Sequence, residues 1–238
     1  MAPIVMITRP EPEATALAAQ LAGQGARLVV SPLQQIRFHA ITLPEGPFEA
    51  IFTSRNGVRA LVRAGAVARR AWCVGEATAR AAREAGMWAM SADGDAEALL
   101  ALLLKERPAG PLVHLRGAQH RGDLVGRLVA AGLRAEAVEA YAQAPRAATP
   151  EARQAMQGPA PVVVPVYSPG AAHRLAAEWQ GGAPLLVTAI SAAAAAPLRA
   201  LSPARLSVAA RPSGETMLNE ITGLIAAAHQ LENKGGGV

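Results

Sequence analysis

The sequence predicts an α/β fold made of two doubly wound parallel-sheet domains, one inserted in the other. Three observations carry this. Apolar runs of strand length alternate with alanine- and leucine-rich stretches of helical period along the chain. The stretch Ile51-Phe52-Thr53-Ser54-Arg55-Asn56-Gly57-Val58 is echoed by Val164-Pro165-Val166-Tyr167-Ser168-Pro169-Gly170-Ala171, and in each a strand ends in a serine and a small-residue turn that opens a helix. Arg9, Gly25 and Arg27, spaced 16 and 2 residues apart, recur as Arg116, Gly132 and Arg134 with the same spacing.

Taken in order, Ile4–Thr8 is a buried parallel strand, residues 14–22 a helix closed by Gly25, and Arg27–Val30 the next strand, which completes one βαβ unit. Residues 31–47 hold three prolines and only a weak alternation from Gln35 to Ile41, so they read as an exposed, extended connector. Strands then fall at Ala50–Thr53, Ala71–Val74, Trp88–Met90, Leu112–Leu115 and Ala135–Val138, with helical patterns at Val58–Ala64, Ala77–Ala85, Ala96–Lys105 and Asp123–Ala131 between them. Residues 142–161 form a second proline-bearing crossing with a short helix near Glu151–Met156. The last region has strands at Val162–Tyr167, Leu185–Ile190 and Leu206–Ala210, and helices at Ala171–Ala177, Ala192–Leu201 and Glu215–Gln230.

Two strands at the start and three at the end match the five in the middle. The expected organisation is therefore a discontinuous domain of residues 1–35 plus 147–230, an inserted domain of 48–141, linkers at 36–47 and 142–146, and a disordered tail at 231–238.

Composition excludes several classes. Aromatics are only 3% of the 238 residues and the basic residues are scattered, which argues against a nucleic-acid groove. The net charge of +5 is nearly all arginine, whose forked donors suit carboxylate or phosphate ligands, although a solvated surface accounts for it equally well. The single cysteine, Cys73, lies in an apolar strand pattern and fits an inert thiol in a cytoplasmic protein. The N-terminus reaches Arg9-Pro10 after a short apolar run, so neither a signal peptide nor a membrane span is expected there.

In open parallel sheets ligands bind beyond the carboxyl ends of the strands. There the sequence places Arg9, Ser54, Arg55, Asn56, Gly57, Gly75, Thr78, Arg116, Gly117, Tyr141, Ser168, Pro169, Gly170, Ser191 and the Arg211–Gly214 turn. This set is rich in hydroxyls, glycines and arginines and poor in acids, and helix-start N–H groups add anion donors. No dinucleotide or Walker glycine loop is present, Ser168 lacks the flanks of a nucleophile elbow, and His39, His114, His120, His173 and His229 are too dispersed for a metal site and read as surface or strand residues. Tyr141 stands just past a strand, where anchoring a linker is as good a reading as a chemical role.

Several of these runs resemble the uroporphyrinogen-III synthase family: Ile7-Thr8-Arg9-Pro10, Phe52-Thr53-Ser54-Arg55-Asn56-Gly57-Val58, Val74-Gly75-Glu76-Ala77-Thr78-Ala79, Leu115-Arg116-Gly117, Val138-Glu139-Ala140-Tyr141 and Tyr167-Ser168-Pro169-Gly170-Ala171. They occur in the family's order over nearly the whole chain. The resemblance implies two similar flavodoxin-like domains joined by a two-stranded linker. It implies cyclisation of the linear tetrapyrrole hydroxymethylbilane to uroporphyrinogen III with inversion of the last ring and loss of water, through a spiro intermediate in an interdomain cleft. It further implies a cytoplasmic, monomeric lyase that uses no cofactor or metal, has no nucleic-acid or membrane partner, and makes at most transient contact with the upstream tetrapyrrole enzyme.

By the same resemblance, Tyr141 matches the tyrosine proposed to assist departure of the hydroxyl, and Thr78 matches a threonine of the middle domain. The other site residues named above become contacts for the substrate's eight carboxylates. One departure stands out: where the family commonly carries a threonine-bearing turn, this chain runs from Ile190-Ser191 straight into Ala192. The rival class is a non-catalytic two-domain binder of a polyanionic small molecule, which would not turn over hydroxymethylbilane.

Overall fold

Apolar runs of four to six residues make most of the strands, and the computed structural model, which describes residues 1–120 and 122–235, places them in two sheets. The chain opens with β1 (Ile4–Ile7), α1 (Glu13–Leu21), β2 (Arg27–Val30) and β3 (Gln34–Phe38). It continues through β4 (Glu49–Phe52), α2 (Arg55–Arg63), β5 (Arg70–Cys73), α3 (Glu76–Glu84) and β6 (Trp88–Ser91). Then come α4 (Ala96–Glu106), β7 (Leu112–Gly117), α5 (Leu124–Ala130) and β8 (Ala135–Pro145). The remainder is α6 (Pro150–Gln157), β9 (Val162–Val166), α7 (Pro169–Glu178), β10 (Leu185–Ala189), α8 (Ala192–Ala195), β11 (Arg205–Val208) and α9 (Gly214–Gly235).

Two compact units result: residues 1–35 with the described residues from 144 onward, and residues 36–143. The first unit has the parallel order β11-β10-β9-β1-β2. The second has the order β3-β8-β7-β4-β5-β6, parallel from β8 to β6. Counted from β1 in one unit and from β7 in the other, the parallel strands follow the same order. Gly25 and Gly132, both at positive φ, turn the chain from the helix into the second strand of each unit, which is the physical content of the repeated Arg-Gly-Arg spacing.

Each sheet is covered on both faces, as unbroken apolar strands require. In the first unit Met6, Val162 and Val164 face α6 and α7, while Val5, Ile7 and Leu186 face α1 and α9. In the second, Phe52, Cys73 and Leu115 pack with Val58 and Leu61 of α2 and Ala79 and Ala82 of α3. Ile51, Trp72 and Leu112 pack with Leu99 and Leu103 of α4 and Leu128 of α5. The indole N–H of Trp72 donates to buried Glu49 at 2.7 Å. Burial pushes the Cys73 thiol up to about 12, so it stays protonated and unreactive.

The structure corrects the sequence reading in four places. The connector begins as strand β3, because Ile36 and Phe38 alternate inward against the core while Arg37 points out. The strand expected to end at Val138 runs on to Pro145 as β8, since β3 supplies its backbone partners: His39 N–H donates to Ala140 and Arg146 N–H to Leu33, both at 3.0 Å, an antiparallel pairing. Tyr141 therefore lies inside a strand and is buried. The helix expected over 192–201 is α8 followed by a 3-10 turn at Ala196–Leu201, because Pro197 has no N–H to continue the α ladder. The expected tail is helical through Gly235 as the end of α9, and its residues 236–238 lie outside the described residues.

Candidate functional site

Around the carboxyl ends of β4 and β7 and beside the middle of β8, the second unit encloses a cavity of about 350 Å³. Each strand delivers polar side chains to it. After β4, Thr53 and Ser54 turn into α2, and Ser54 caps that helix by accepting the Asn56 N–H at 3.2 Å. On β7, His114 and Arg116 stand two residues apart, which puts both on one face of the strand. On β8, Tyr141 lies opposite Gly117, where the register with β7 shifts by a bulge.

Gly117 is a cradle for that ring. A Cβ there would stand 2.8 Å from Tyr141 Cε2, so only glycine fits without moving the tyrosine. The Tyr141 hydroxyl is hydrogen-bonded to the Ser54 side chain. Burial raises the phenol's pKa and outweighs the opposing effect of Ser54, so the group is protonated at neutral pH.

His114 is 6% exposed, and its Nε2 is 3.2 Å from Thr53 Oγ1. Burial, then the neighbouring Arg116 and His120, pull its pKa down to about 4, so the ring is neutral at pH 7. Arg116 Nη1 donates to His120 Nε2 at 2.6 Å, which makes that nitrogen the acceptor and leaves Nδ1–H to donate to Ala118 O at 3.3 Å. Arg116 Nε is buried and has no hydrogen-bond partner among the described residues. A buried donor without a partner is costly, and here it belongs to a cation lining a cavity.

Of the residues expected from sequence, Ser54, Arg116, Gly117 and Tyr141 line this cavity together. Gly57 is packed instead of open, since a Cβ would lie 2.5 Å from the Leu115 carbonyl oxygen. Asn56 Oδ1 accepts from Arg59 at 2.9 Å. Gly75 caps α3, and Thr78 is buried in the first turn of that helix; neither lines the cavity. Arg55 lines a different recess, between α2 and α3. Thr53, Asp95, His114, Gln119 and His120 are the polar lining residues that sequence reasoning did not name for the site. His114 had a signal: a polar residue inside an apolar strand, two positions before Arg116.

In the first unit the expected residues stand at the ends of β1, β9 and β10. The Arg9 guanidinium lies 3.8 Å from the centroid of the Tyr167 ring. Ser168 caps α7 through the Ala171 N–H at 3.1 Å, with Pro169 in the first turn and Gly170 beside the Arg174 side chain. Ser191 caps α8 through the Ala194 N–H at 3.3 Å, so it takes a backbone-capping role in the turn where the family commonly has threonine. Ser213 caps α9 in the same way.

Residues 15–219 match the family described as uroporphyrinogen-III synthase HemD. The chain belongs to that family. It is an enzyme that makes uroporphyrinogen III, an intermediate of tetrapyrrole biosynthesis, and the match does not favour a non-catalytic binder. The fold is similar to that of the uroporphyrinogen-III synthetase of Helicobacter pylori 26695, with a TM-score of 0.67 and 16% identity over 94% of this chain and 100% of that one. It is also similar to a mutant uroporphyrinogen III synthase of the extremely thermophilic bacterium Thermus thermophilus, with a TM-score of 0.54 and 19% identity over 96% of this chain and 99% of that one. No curated protein matches the chain. Among the described residues no helix is long and apolar enough to cross a membrane. The second-unit cavity of this uroporphyrinogen-III synthase family member brings a proton-bearing phenol, a cation and a neutral imidazole within one pocket.

Proposed function

We propose that the second-unit cavity is where hydroxymethylbilane loses its hydroxyl, in a lyase reaction whose net change is ring closure and release of one water. Tyr141 is the catalytic donor. Its proton is transferred to the departing oxygen as the C–O bond breaks, releasing water and leaving the phenolate, and the electron pair of the adjacent pyrrole nitrogen replaces that bond. The already substituted carbon of the last ring then attacks the freed methylene carbon, giving the spiro intermediate. Its rearrangement inverts that ring, and the proton lost from carbon at the end restores the phenol. Ser54 fixes the phenol's orientation, and Arg116 receives a substrate carboxylate through the Nε–H that lacks a partner among the described residues.

Other carboxylates are held by Arg9, Arg55 and the helix-start N–H groups near Asn56, Gly57, Gly75, Thr78, Ser168, Pro169, Gly170 and Ser191, each contact contributing no more than about 1.5–3 kcal/mol. The reading includes two flavodoxin-like domains of one plan, with residues 48–141 inserted into residues 1–35 plus 147–230 and linkers at 36–47 and 142–146, and a cytoplasmic monomer acting on a small molecule.

The observation that supports it most directly is the placement of Tyr141, hydrogen-bonded to Ser54 and cradled by Gly117, in the same cavity as Arg116. The test is a coupled assay with product isomers separated after oxidation. Tyr141→Phe is expected to lower turnover by about ten- to a thousandfold, the scale for a positioned acid, with thermal stability close to wild type. Uroporphyrinogen III formed at the wild-type rate would show that the hydroxyl leaves without the phenol.

A further inference from the structure

Outside the reaction cavity, the second unit has a larger recess, of about 620 Å³, between α2 and α3. Its walls carry Arg55, Arg59 and Arg63 from α2 and Arg80 from α3, against one acid, Glu84. The three α2 arginines are spaced i, i+4, i+8. They form a ladder on one side of the helix with about 6 Å between rungs, from the 1.5 Å rise per residue. Like charges at this spacing disfavour the helix that carries them, a cost that Arg59 offsets in part by donating to Asn56 Oδ1 at 2.9 Å. Between the charges the recess is apolar: Phe38, Val58 and Ala81 line it, and the Arg63 guanidinium lies 5.1 Å from the Phe38 ring centroid. Glu84 sits 3.9 Å from Arg80 Nε, one turn away on α3. The ladder begins next to the reaction cavity, because Arg55 directly follows Ser54, which lines that cavity.

We propose that this arginine-walled recess is a second binding site for the linear tetrapyrrole substrate, engaging its carboxylates along the ladder and its pyrrole rings on the apolar lining. The inference rests on the synthase activity. A small molecule is favoured over an acidic protein segment because the recess has the volume of a small-molecule pocket and its alternation of guanidinium and apolar surface matches apolar rings that each carry carboxylates. The contribution is chiefly to capture: exposed arginines raise the encounter rate of a polyanion, and salt screens the effect.

The test uses the whole enzyme and two readouts. Uroporphyrin III, the stable octacarboxylate formed by oxidising the product, is titrated by fluorescence at low salt and at about 0.5 M NaCl, where the screening length is only a few Å. Wild type is expected to show two saturable phases, one of them salt-sensitive. The double variant Arg63→Glu/Arg80→Glu is expected to lose the salt-sensitive phase and to show a kcat/KM about tenfold lower at low salt, from a few-fold loss per exposed charge pair, with the gap closing at high salt. The neutral pair Arg63→Gln/Arg80→Gln is expected to fall between, which separates charge from misfolding.

A single phase in wild type, or the same titration and the same salt dependence of kcat/KM in both proteins, would overturn the proposal. So would loss of poly-glutamate binding in the double variant with uroporphyrin binding intact, which would make the recess a surface for an acidic protein. Failure of the wild type to form uroporphyrinogen III would count against the activity itself, while the uroporphyrin titration reports on the recess independently.

Discussion

The two units share a strand order, yet they use their strand ends differently. After β9 of the first unit stands Tyr167, with Arg9 from the neighbouring β1 stacked on its ring. At the corresponding places of the second unit, Thr53 follows β4 and Arg116 ends β7, and there the arginine bonds His120 and keeps a buried N–H without a partner among the described residues. Each unit has a half-buried or buried tyrosine near its arginine, and burial raises the pKa of both phenols. Only Tyr141 has its pocket shaped by a glycine and shared with a histidine and a serine. The same backbone plan thus carries an arginine–tyrosine stack in one copy and a polar cavity in the other. Repetition of a fold fixes where side chains emerge, and the identity of two or three of them decides whether that edge holds a stacked pair or a polar cavity.

The comparison is broken most sharply by the tyrosines. Tyr141→Phe is expected to cost about ten- to a thousandfold in turnover, whereas Tyr167→Phe should change it by less than about threefold, since the ring face that Arg9 uses survives. Equal losses at both positions would make the two edges functionally equivalent.

Acid sharpens the contrast next. The folded His114 has a pKa near 4 against an ordinary 6.5, so the unfolded chain binds the extra proton between those values. Its contribution to stability is complete above pH 6.5 and is lost as pH falls towards 4. Urea unfolding at pH 7 and pH 4.5 should show wild type losing about 1–3 kcal/mol more than His114→Gln. Parallel losses in the two proteins would mean the imidazole is not held neutral by burial.

Gly117→Ala comes third. Its new methyl group meets the Tyr141 ring, and thermal or urea unfolding should report about 1–3 kcal/mol of destabilisation together with reduced turnover, because the ring must shift. Unchanged activity would mean that the ring's position is not critical.

The helix caps are the smallest effect and the most symmetric. Ser54→Ala and Ser168→Ala each remove one cap and should each cost about 1 kcal/mol of stability. Only Ser54→Ala should also reduce turnover, severalfold, because only Ser54 bonds the phenol. A loss of turnover in Ser168→Ala of the same size would place an active edge in the first unit as well.

Much of this fold was legible in the sequence because its strands are buried on both faces. Val162–Val166 and Leu185–Ala189 are continuous apolar runs bounded by breakers, and such runs admit few readings. β3 and the outer part of β8 were missed for the opposite reason. Gln35, Arg37, Gln143 and Pro145 are exposed or half-exposed strand residues, whose pairing depends on a partner about a hundred residues away. Of the candidate residues, Ser54, Arg116, Gly117 and Tyr141 line one cavity, and they are reachable from sequence because strand ends can be located there. Gly57, Asn56 and Thr78 do not line that cavity, and a position at a helix start suits packing against β7, bonding within the helix or burial as well as it suits a ligand. For His114 the local signal is a polar residue within an apolar run, while the neutral state of its ring follows from the depth at which β7 lies, which is not a local property.

Cys73 brings this to a practical end. The chain has one cysteine, and its thiol lies at the end of β5, fully buried beneath α2 and α3, so a thiol reagent in the surrounding solution finds no target while the second unit stays closed. Modification must wait for that unit to open, and its rate measures how often opening happens. The protein therefore contains its own clock for one half of the molecule: the pace of labelling times the opening of the second unit and leaves the first unit unrecorded.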